Sequence, residues 1–438
     1  MPHPLLSIRG CSQIYTKDSS AELAVLDDVS FSIEPGEIVG LVGRAGSGKS
    51  TLLRIASGLL KPTGGEVIWQ GRPLHAPTPE IGLVFQSFAL FPWLTVEQNI
   101  SLGLEAQRLP RGVRQERTDW IVDLIGLSGY ENAYPKELSG AMQQRTGLAR
   151  ALALKPNLLL MDEPFAELDH LTAENLRTDL IELWSEHKLP IQSMMLVTHN
   201  IEEAVLMCDR ILLFSSNPGR ISYELRVPFD HPRNRDDAEF RAFVDQIYTL
   251  MTRRAPLVSE ADEEAGLSAP APNPLAIVLP PLQINVMVGL METLAAAPLD
   301  GRADLPMLAE RLQMALDDLF PIGESLQLLG FAELEDGDIL LTEDGGHFVE
   351  AEHEQRRESM RTALLHAIPL IRMIRTVLDE RPTHAVSTDR FRKELEACMS
   401  PAYAQQTLQT AVNWARYAEL FDFDEEADQF LLDEDEIG

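Results

Sequence analysis

Gly43-Arg44-Ala45-Gly46-Ser47-Gly48-Lys49-Ser50 decides how the first half of this chain folds. The stretch fits G-x-x-x-x-G-K-[ST], between an apolar strand, EIVGLV (37–42), and a helix running from Thr51, TLLRIASGLL. Its glycines let the backbone curl so that successive N–H groups point inward at phosphate oxygens. Lys49 adds a point charge at the outer phosphates, and the Ser50 hydroxyl suits a divalent cation.

Further along, Leu158-Leu-Leu-Met-Asp162-Glu163-Pro164 reads as a buried strand ending in two carboxylates. A strand apolar on both faces belongs inside a parallel sheet, and such sheets hold their ligands at the strands' carboxyl ends. Beside a phosphate loop the two acids divide the work. Asp162 holds a metal ion, and Glu163 orients and deprotonates an attacking water. The alternation of apolar strands and helical patterns up to about residue 225 gives an α/β domain.

At this point the chain resembles the ATPase subunits of ATP-binding-cassette transporters, over residues 1 to about 250. Leu138-Ser139-Gly140-Ala141-Met142-Gln143 resembles the signature motif, with QQRTGLARAL continuing as its helix. Gln86 in LVFQ resembles the Q-loop glutamine, Phe165-Ala-Glu-Leu-Asp169 the D-loop, and His199 in LVTHN the switch histidine. The resemblance implies a P-loop NTPase cassette with a helical signature subdomain, with ATP and Mg2+ as its ligands. ATP would be held by Tyr15, stacked on adenine, and by Gly43, Arg44, Ala45, Gly46, Ser47, Gly48, Lys49, Ser50 and Thr51. Ser50, Gln86 and Asp162 would hold the metal, and Glu163, His199 and Lys49 would be catalytic. In this family Ser139, Gly140, Ala141 and Met142 complete the site of a second cassette, so a homo- or heterodimer is implied, with Asp169 in the D-loop. Membrane permease subunits are the direct partners, and a periplasmic or lipid-anchored substrate-binding protein an indirect one. Two residues depart from the pattern. Ala141 stands where a glycine is usual; its methyl group could crowd a phosphate or demand a different backbone angle, since Ala cannot take φ > 0 cheaply. Glu167 brings a charge where a small residue is usual. Reduced but real turnover is the expectation.

The segment Phe91-Pro-Trp-Leu-Thr-Val96 resembles the branch that imports nitrate, sulfonates, taurine or bicarbonate. The apolar run Phe88, Leu90, Phe91 and Trp93 would face the membrane subunit. A soluble, non-transporting cassette ATPase and a weakly active cassette with a regulatory role are the alternatives.

The resemblance implies a peripheral position at the cytoplasmic face of the cell membrane, and composition points to the cytosol. The chain has 438 residues and a formal net charge of −31, which opposes nucleic acid and anionic lipid as direct partners. Its longest later apolar stretch, Ala276 to Met291, is broken by Pro280, Pro281, Gln283 and Asn285, and cannot span a bilayer. The N-terminus, MPHPLLSIRG, has no basic leader before an apolar run. Cys11, Cys208 and Cys398 are too scattered for a disulfide framework or a metal site.

The expected organisation is a cassette over 1–255, an Ala/Pro/Ser/Glu-rich linker over 256–274, and an acidic α+β domain over 275–438. Residues 281–438 hold 32 Asp and Glu against 12 Lys and Arg. DLPMLAERLQMALDDLFPIGESLQLLG reads as two helices capped by Gly330, and FAELEDGDILLT as a hairpin about Asp336-Gly337. That order is winged-helix-like. RFRKELEACM, AYAQQTLQTAVNWAR and YAELFDFDEEADQFLL echo it, with Phe331–Leu334 and Tyr417–Leu420 in matching places, so a tandem pair is expected; one irregular helical domain is the alternative. A winged helix can bind DNA, but the acidic balance favours a protein-interaction or regulatory module.

Overall fold

The computed structural model describes residues 4–16, 22–44, 46–215, 218–252, 275, 277–314, 316–335, 337–381, 383–396, 399, 401–424 and 427–432. Ala45, the expected linker 256–274, Asp336 and Cys398 lie outside the described residues. The chain divides into two compact units, Met1–Arg241 and Ala242–Gly438.

The first unit opens with β1 (Leu6–Thr16), β2 (Glu22–Ile33), β3 (Ile38–Gly43), α1 (Lys49–Ala56), β4 (Gly64–Trp69), β5 (Arg72–Pro73) and β6 (Ile81–Val84). Helices α2 (Val96–Ala106), α3 (Arg111–Leu124) and α4 (Gly140–Leu152) follow. Then come β7 (Leu158–Asp162), α5 (His170–Ser185), β8 (Ser193–Thr198), α6 (Ile201–Met207), β9 (Arg210–Phe214) and β10 (Ile221–Arg226).

Two sheets result. One is antiparallel, in the order β2-β1-β4-β5. The other runs β10-β9-β3-β8-β7-β6 and is parallel from β9 to β6, with β10 reversed at its edge. Every residue of β3 and β8 is buried, as a central parallel strand covered on both faces requires. Leu52, Leu53, Ile55 and Ala56 of α1 lie in one apolar cluster with Leu6, Ile8 and Leu26 of the first sheet and Leu41, Leu160 and Val197 of the second. The helix that follows the phosphate loop is therefore clamped between two sheets.

Helices α2 to α4 pack as a helical group. Thr95 and Gln98 form a reciprocal capping box at the start of α2. Buried Asn99 donates to the carbonyls of Phe91 and Leu94, 3.2 and 3.0 Å, and accepts from Phe91 N at 2.9 Å. That anchorage holds the turn that leaves Trp93 68% exposed.

After β10 comes helix α7 (Ala238–Thr252). The units divide inside it, at 241/242, rather than beyond it at 255, because its later turns pack downstream: the rings of Tyr248 and Phe320 are 5.4 Å apart.

The second unit runs α8 (Ile284–Ala295), β11 (Arg302–Asp304), α9 (Leu305–Leu312), α10 (Leu316–Leu329), β12 (Ala332–Glu335) and β13 (Asp338–Leu341). After α11 (Glu343–Glu350) and α12 (His353–Ala367), the same order returns as α13 (Pro369–Glu380), β14 (Ala385–Ser387), α14 (Asp389–Glu396), α15 (Pro401–Tyr417), β15 (Asp422–Asp424) and β16 (Gln429–Leu431). Both three-stranded sheets put the last strand in the middle, β11-β13-β12 and β14-β16-β15. Helix, strand, helix, helix, hairpin, twice over, is a tandem of winged helices. One expected correspondence fails. Phe331–Leu334 enters strand β12, whereas Tyr417 ends helix α15 and Leu420 precedes β15, so the two similar tetrapeptides occupy different places.

No described helix is long and apolar enough to cross a membrane.

The segment entering the second unit is stitched to α15. Thr407 Oγ1 accepts from Leu279 N at 3.3 Å, Gln406 Nε2 donates to Leu279 O at 3.0 Å, and Thr410 Oγ1 donates to Pro280 O at 3.2 Å. Fully buried Trp414 donates its indole N–H to Leu282 O at 2.8 Å. Trp414→Phe keeps most of the apolar volume and orphans that carbonyl. We expect a loss of about 1–3 kcal/mol in the stability of this unit, read from urea unfolding.

Candidate nucleotide site

Strands β3, β8, β7 and β6 are neighbours, and they end at the same edge of the sheet. Gly43, Thr198, Asp162 and Val84 are their last residues. The residues just beyond them are the phosphate loop, His199, Glu163 and Gln86, so the topology lines up chemistry that the sequence scatters over more than a hundred positions.

Gly43 permits the first step. A Cβ there would stand 2.6 Å from the carbonyl oxygen of Phe214 on β9. Gly48, with φ of 98°, caps α1 in a left-handed conformation that aims the first free N–H groups of the helix at the loop. Ser47 is buried, and its Oγ has no hydrogen-bond partner among the described residues. An unsatisfied buried hydroxyl in a loop of this shape fits a phosphate oxygen.

Lys49 curls back over the loop. Its Nζ donates to the carbonyls of Gly43 and Arg44 at 2.8 and 2.9 Å, and stands 3.7 Å from Glu163 Oε1. Glu163 is only 5% exposed, and its other oxygen is 3.4 Å from His199 Nδ1, on a side chain 53% exposed. Glu163 adopts φ of 44°, a left-handed conformation uncommon for a side-chain-bearing residue, while its N–H donates to Val197 O at 2.8 Å. The contact with Glu163 is the main reason His199 holds its proton above the ordinary value of 6.5, against the opposing effect of burial.

Ser50 Oγ donates to Asp162 Oδ1 at 3.0 Å. Burial pushes the Asp162 carboxyl up, and the bond from Ser50 only partly offsets this. A carboxylate disfavoured by burial, next to a hydroxyl oxygen, is a hard-oxygen set that a small divalent cation would satisfy. No cluster of three or more His, Cys, Asp or Glu that could hold a metal occurs among the described residues.

Two linked sets result, Lys49 with Glu163 and His199, and Ser50 with Asp162, and they adjoin along the chain at 49–50 and at 162–163. The other expected residues stand on separate elements. Tyr15 is on β1, 41% exposed. Gln86 is half-buried past β6. Arg44 and Gly46 are exposed loop residues, and Thr51 lies half-buried in α1. Ser139 caps α4, accepting from Met142 N at 3.4 Å, and Asp169 caps α5, accepting from Thr172 N at 3.1 Å. A hydrogen bond from the Thr172 side chain, followed by the one from its backbone N–H, holds the Asp169 carboxyl below its usual range.

Ala141 needs no left-handed backbone. It is the second residue of α4 and is not among the residues with positive φ, so the conformational objection to Ala falls away and only its methyl group distinguishes it from Gly. Glu167 is exposed on the turn before α5.

Several contacts were not legible from the motifs. Gln144 of α4 donates to the carbonyl of Pro164, directly after Glu163. Asn200 caps α6, accepting from Glu203 N at 2.6 Å; Asn before the apolar-periodic IEEAVLM is the signal that could have found it. The buried pair of Arg177 and Glu203 had no local signal.

Residues 26–166 match the family model described as ABC transporter, and residues 306–424 match that of the C-terminal AAA-associated domain. A protein of Brucella abortus biovar 1 is 41% identical over 234 residues, covering 53% of this chain and 89% of the relative. The nitrate import ATP-binding protein NrtD of Synechocystis sp. is 39% identical over 265 residues, 58% of this chain and 98% of the relative. An aliphatic sulfonates import ATP-binding protein, SsuB, of Bacillus cereus is 38% identical over 236 residues, 54% of this chain and 91% of the relative.

The His199–Glu163 contact has a definite pH signature. A folded-state pKa raised above 6.5 means that its stabilisation is complete below that pH and fades as pH rises through the raised value. In a histidine NMR titration, His199 should show a midpoint above the ordinary one, brought down by Glu163→Gln. An unchanged midpoint in that variant would remove Glu163 as the cause.

Proposed function

Given that this chain belongs to the ABC transporter family and is an ATPase, we propose that it is the ATP-hydrolysing subunit of a membrane importer for a small anion. The observation that carries the residue roles is the position of Glu163, 3.7 Å from Lys49 and 3.4 Å from His199 at the end of the strand beside the phosphate loop. In this reading the loop N–H groups and Lys49 bind the β- and γ-phosphates. Glu163 orients the attacking water and takes its proton. His199 donates to the γ-phosphate. Tyr15 stacks on adenine. Ser50 and Asp162 would hold Mg2+, with Gln86 at the neighbouring strand end, and such an ion would supply neutralisation of charge on the phosphates.

The signature residues, Ser139 to Met142, stand outside the linked set around Glu163, which supports a second cassette whose own α4 N-terminus completes the site. Exposed Trp93, 5.5 Å from the ring of Phe91, supports docking to a permease at the cytoplasmic face of the membrane. A substrate-binding protein would act through that permease. The small-anion cargo rests on the relatives, whose names specify nitrate and aliphatic sulfonates.

The acidic second unit is read as a regulatory module rather than a DNA reader. In a winged helix the helix before the hairpin enters the groove. Here α10 carries Asp317, Asp318 and Glu324 with no Lys or Arg, and α15 has Gln406, Thr407, Thr410 and Trp414 engaged by the chain's own Leu279–Leu282. Without phosphate contacts the usual source of DNA affinity is missing.

Two outcomes test these readings. Glu163→Gln should bind ATP as tightly as the parent and lose turnover by about 10²- to 10⁴-fold in an assay with MgATP; retained turnover would take the base role from Glu163. A chain ending at Arg241 should bind ATP while the rate or regulation of transport changes in reconstituted vesicles. Transport indistinguishable from the full chain would end the regulatory assignment.

A further inference from the structure

Arg177 on α5 and Glu203 on α6 form an ion pair, Nη1 to Oε2 3.3 Å, with side chains only 10% and 7% exposed. Two buried charges are costly, and a packed apolar pair of similar volume is often as stabilising or more so. The pair is also imperfect, since Arg177 Nε has no hydrogen-bond partner among the described residues. A purely structural link between two helices does not call for such an arrangement.

Its position suggests what does. Helix α6 begins directly after His199, with Asn200 as its cap, and Glu203 lies in its first turn. Helix α5 begins at the Asp169 cap. The Arg177 guanidinium lies 5.8 Å over the ring of Phe165, two residues past Glu163. Between them, Pro164 offers its carbonyl to Gln144 of the signature helix α4. One cation therefore contacts the segment leaving Glu163 and, through Glu203, the helix leaving His199, and that segment is tied to α4.

We propose that Arg177 and Glu203 are a positioning pair, which fixes the helix after His199 against the segment after Glu163 and keeps those two side chains in reacting geometry. The proposal rests on the roles given above to Glu163 and His199. Nucleotide binding is the work of a different element, the loop between β3 and α1. Loss of the pair should therefore be felt in kcat and not in ground-state affinity, since displacement of a reacting group by about 1 Å can cost about 10²-fold.

The full-length chain provides the test, with MgATP as the probe. Arg177→Met/Glu203→Met replaces both charges with apolar volume, so the fold survives even if Arg177→Met alone does not. The double variant should keep its Tm and its ATP affinity to within about twofold, while kcat falls by at least about tenfold. Arg177→Lys, which retains the charge, should recover most of that loss. A double variant with the parent kcat would overturn the proposal, because the pair would then be only a structural filler. So would a kcat that falls only in step with Tm and affinity, unrelieved by Arg177→Lys. If instead Glu163→Gln leaves turnover untouched, the failure lies in the underlying reading, and the two cases are told apart by that variant.

Discussion

A carboxylate sealed from water needs a cation, and Glu163 is placed between two groups that can serve. Lys49 arrives from the phosphate loop and His199 from the end of β8. Neither would be there without the parallel sheet, which ends β3, β8 and β7 side by side, nor without the sheets that clamp α1 behind the loop. The left-handed backbone at Glu163 turns the chain out of β7 at the point where its side chain must meet both partners. Such conformations persist where surrounding structure over-determines them. Here the surroundings are the bond from its N–H to Val197, the Gln144–Pro164 bond and the contacts with Lys49 and His199.

What the sequence made legible follows from how local each signal is. The loop at 43–50, the acids at 162–163 and His199 each follow an apolar run that can only be a buried strand, so their common edge could be anticipated without coordinates. Gln86, Ser139 and Asp169 were found by pattern, and their positions past a strand or at a helix cap are consistent with local chemistry. Arg177 was invisible. An arginine in a helix reads as solvent-facing, and only the approach of Glu203, 26 positions later in a different helix, makes burial tolerable. The backbone objection to Ala141 failed for a related reason, while its methyl group still distinguishes it from Gly. The objection presumed a glycine-like backbone, but a residue in the first turn of a helix has ordinary helical angles.

In the second unit the helices α9, α10, α14 and α15 and both hairpins were readable, whereas β11 and β14 were not. Each is three residues long, and its pairing with a hairpin strand is fixed by tertiary context rather than by alternation. The similar tetrapeptides at 331 and 417 misled because resemblance over four residues does not fix register. The repeat is carried by topology, and the two copies share a plan while differing in where helix gives way to strand.

The bonds between Leu279–Leu282 and α15 have a consequence for synthesis. They join residues 127 to 132 positions apart, so the segment leading into α8 waits for the unit's last helix. Contacts of such long range are slow to form and leave apolar surface open until they do. On a ribosome the cassette's sheet has all its strands long before Trp414 is made, and the carbonyls of Leu279, Pro280 and Leu282 find their partners on α15 only then. Two halves alike in plan gain this shared seam only when the second is nearly complete.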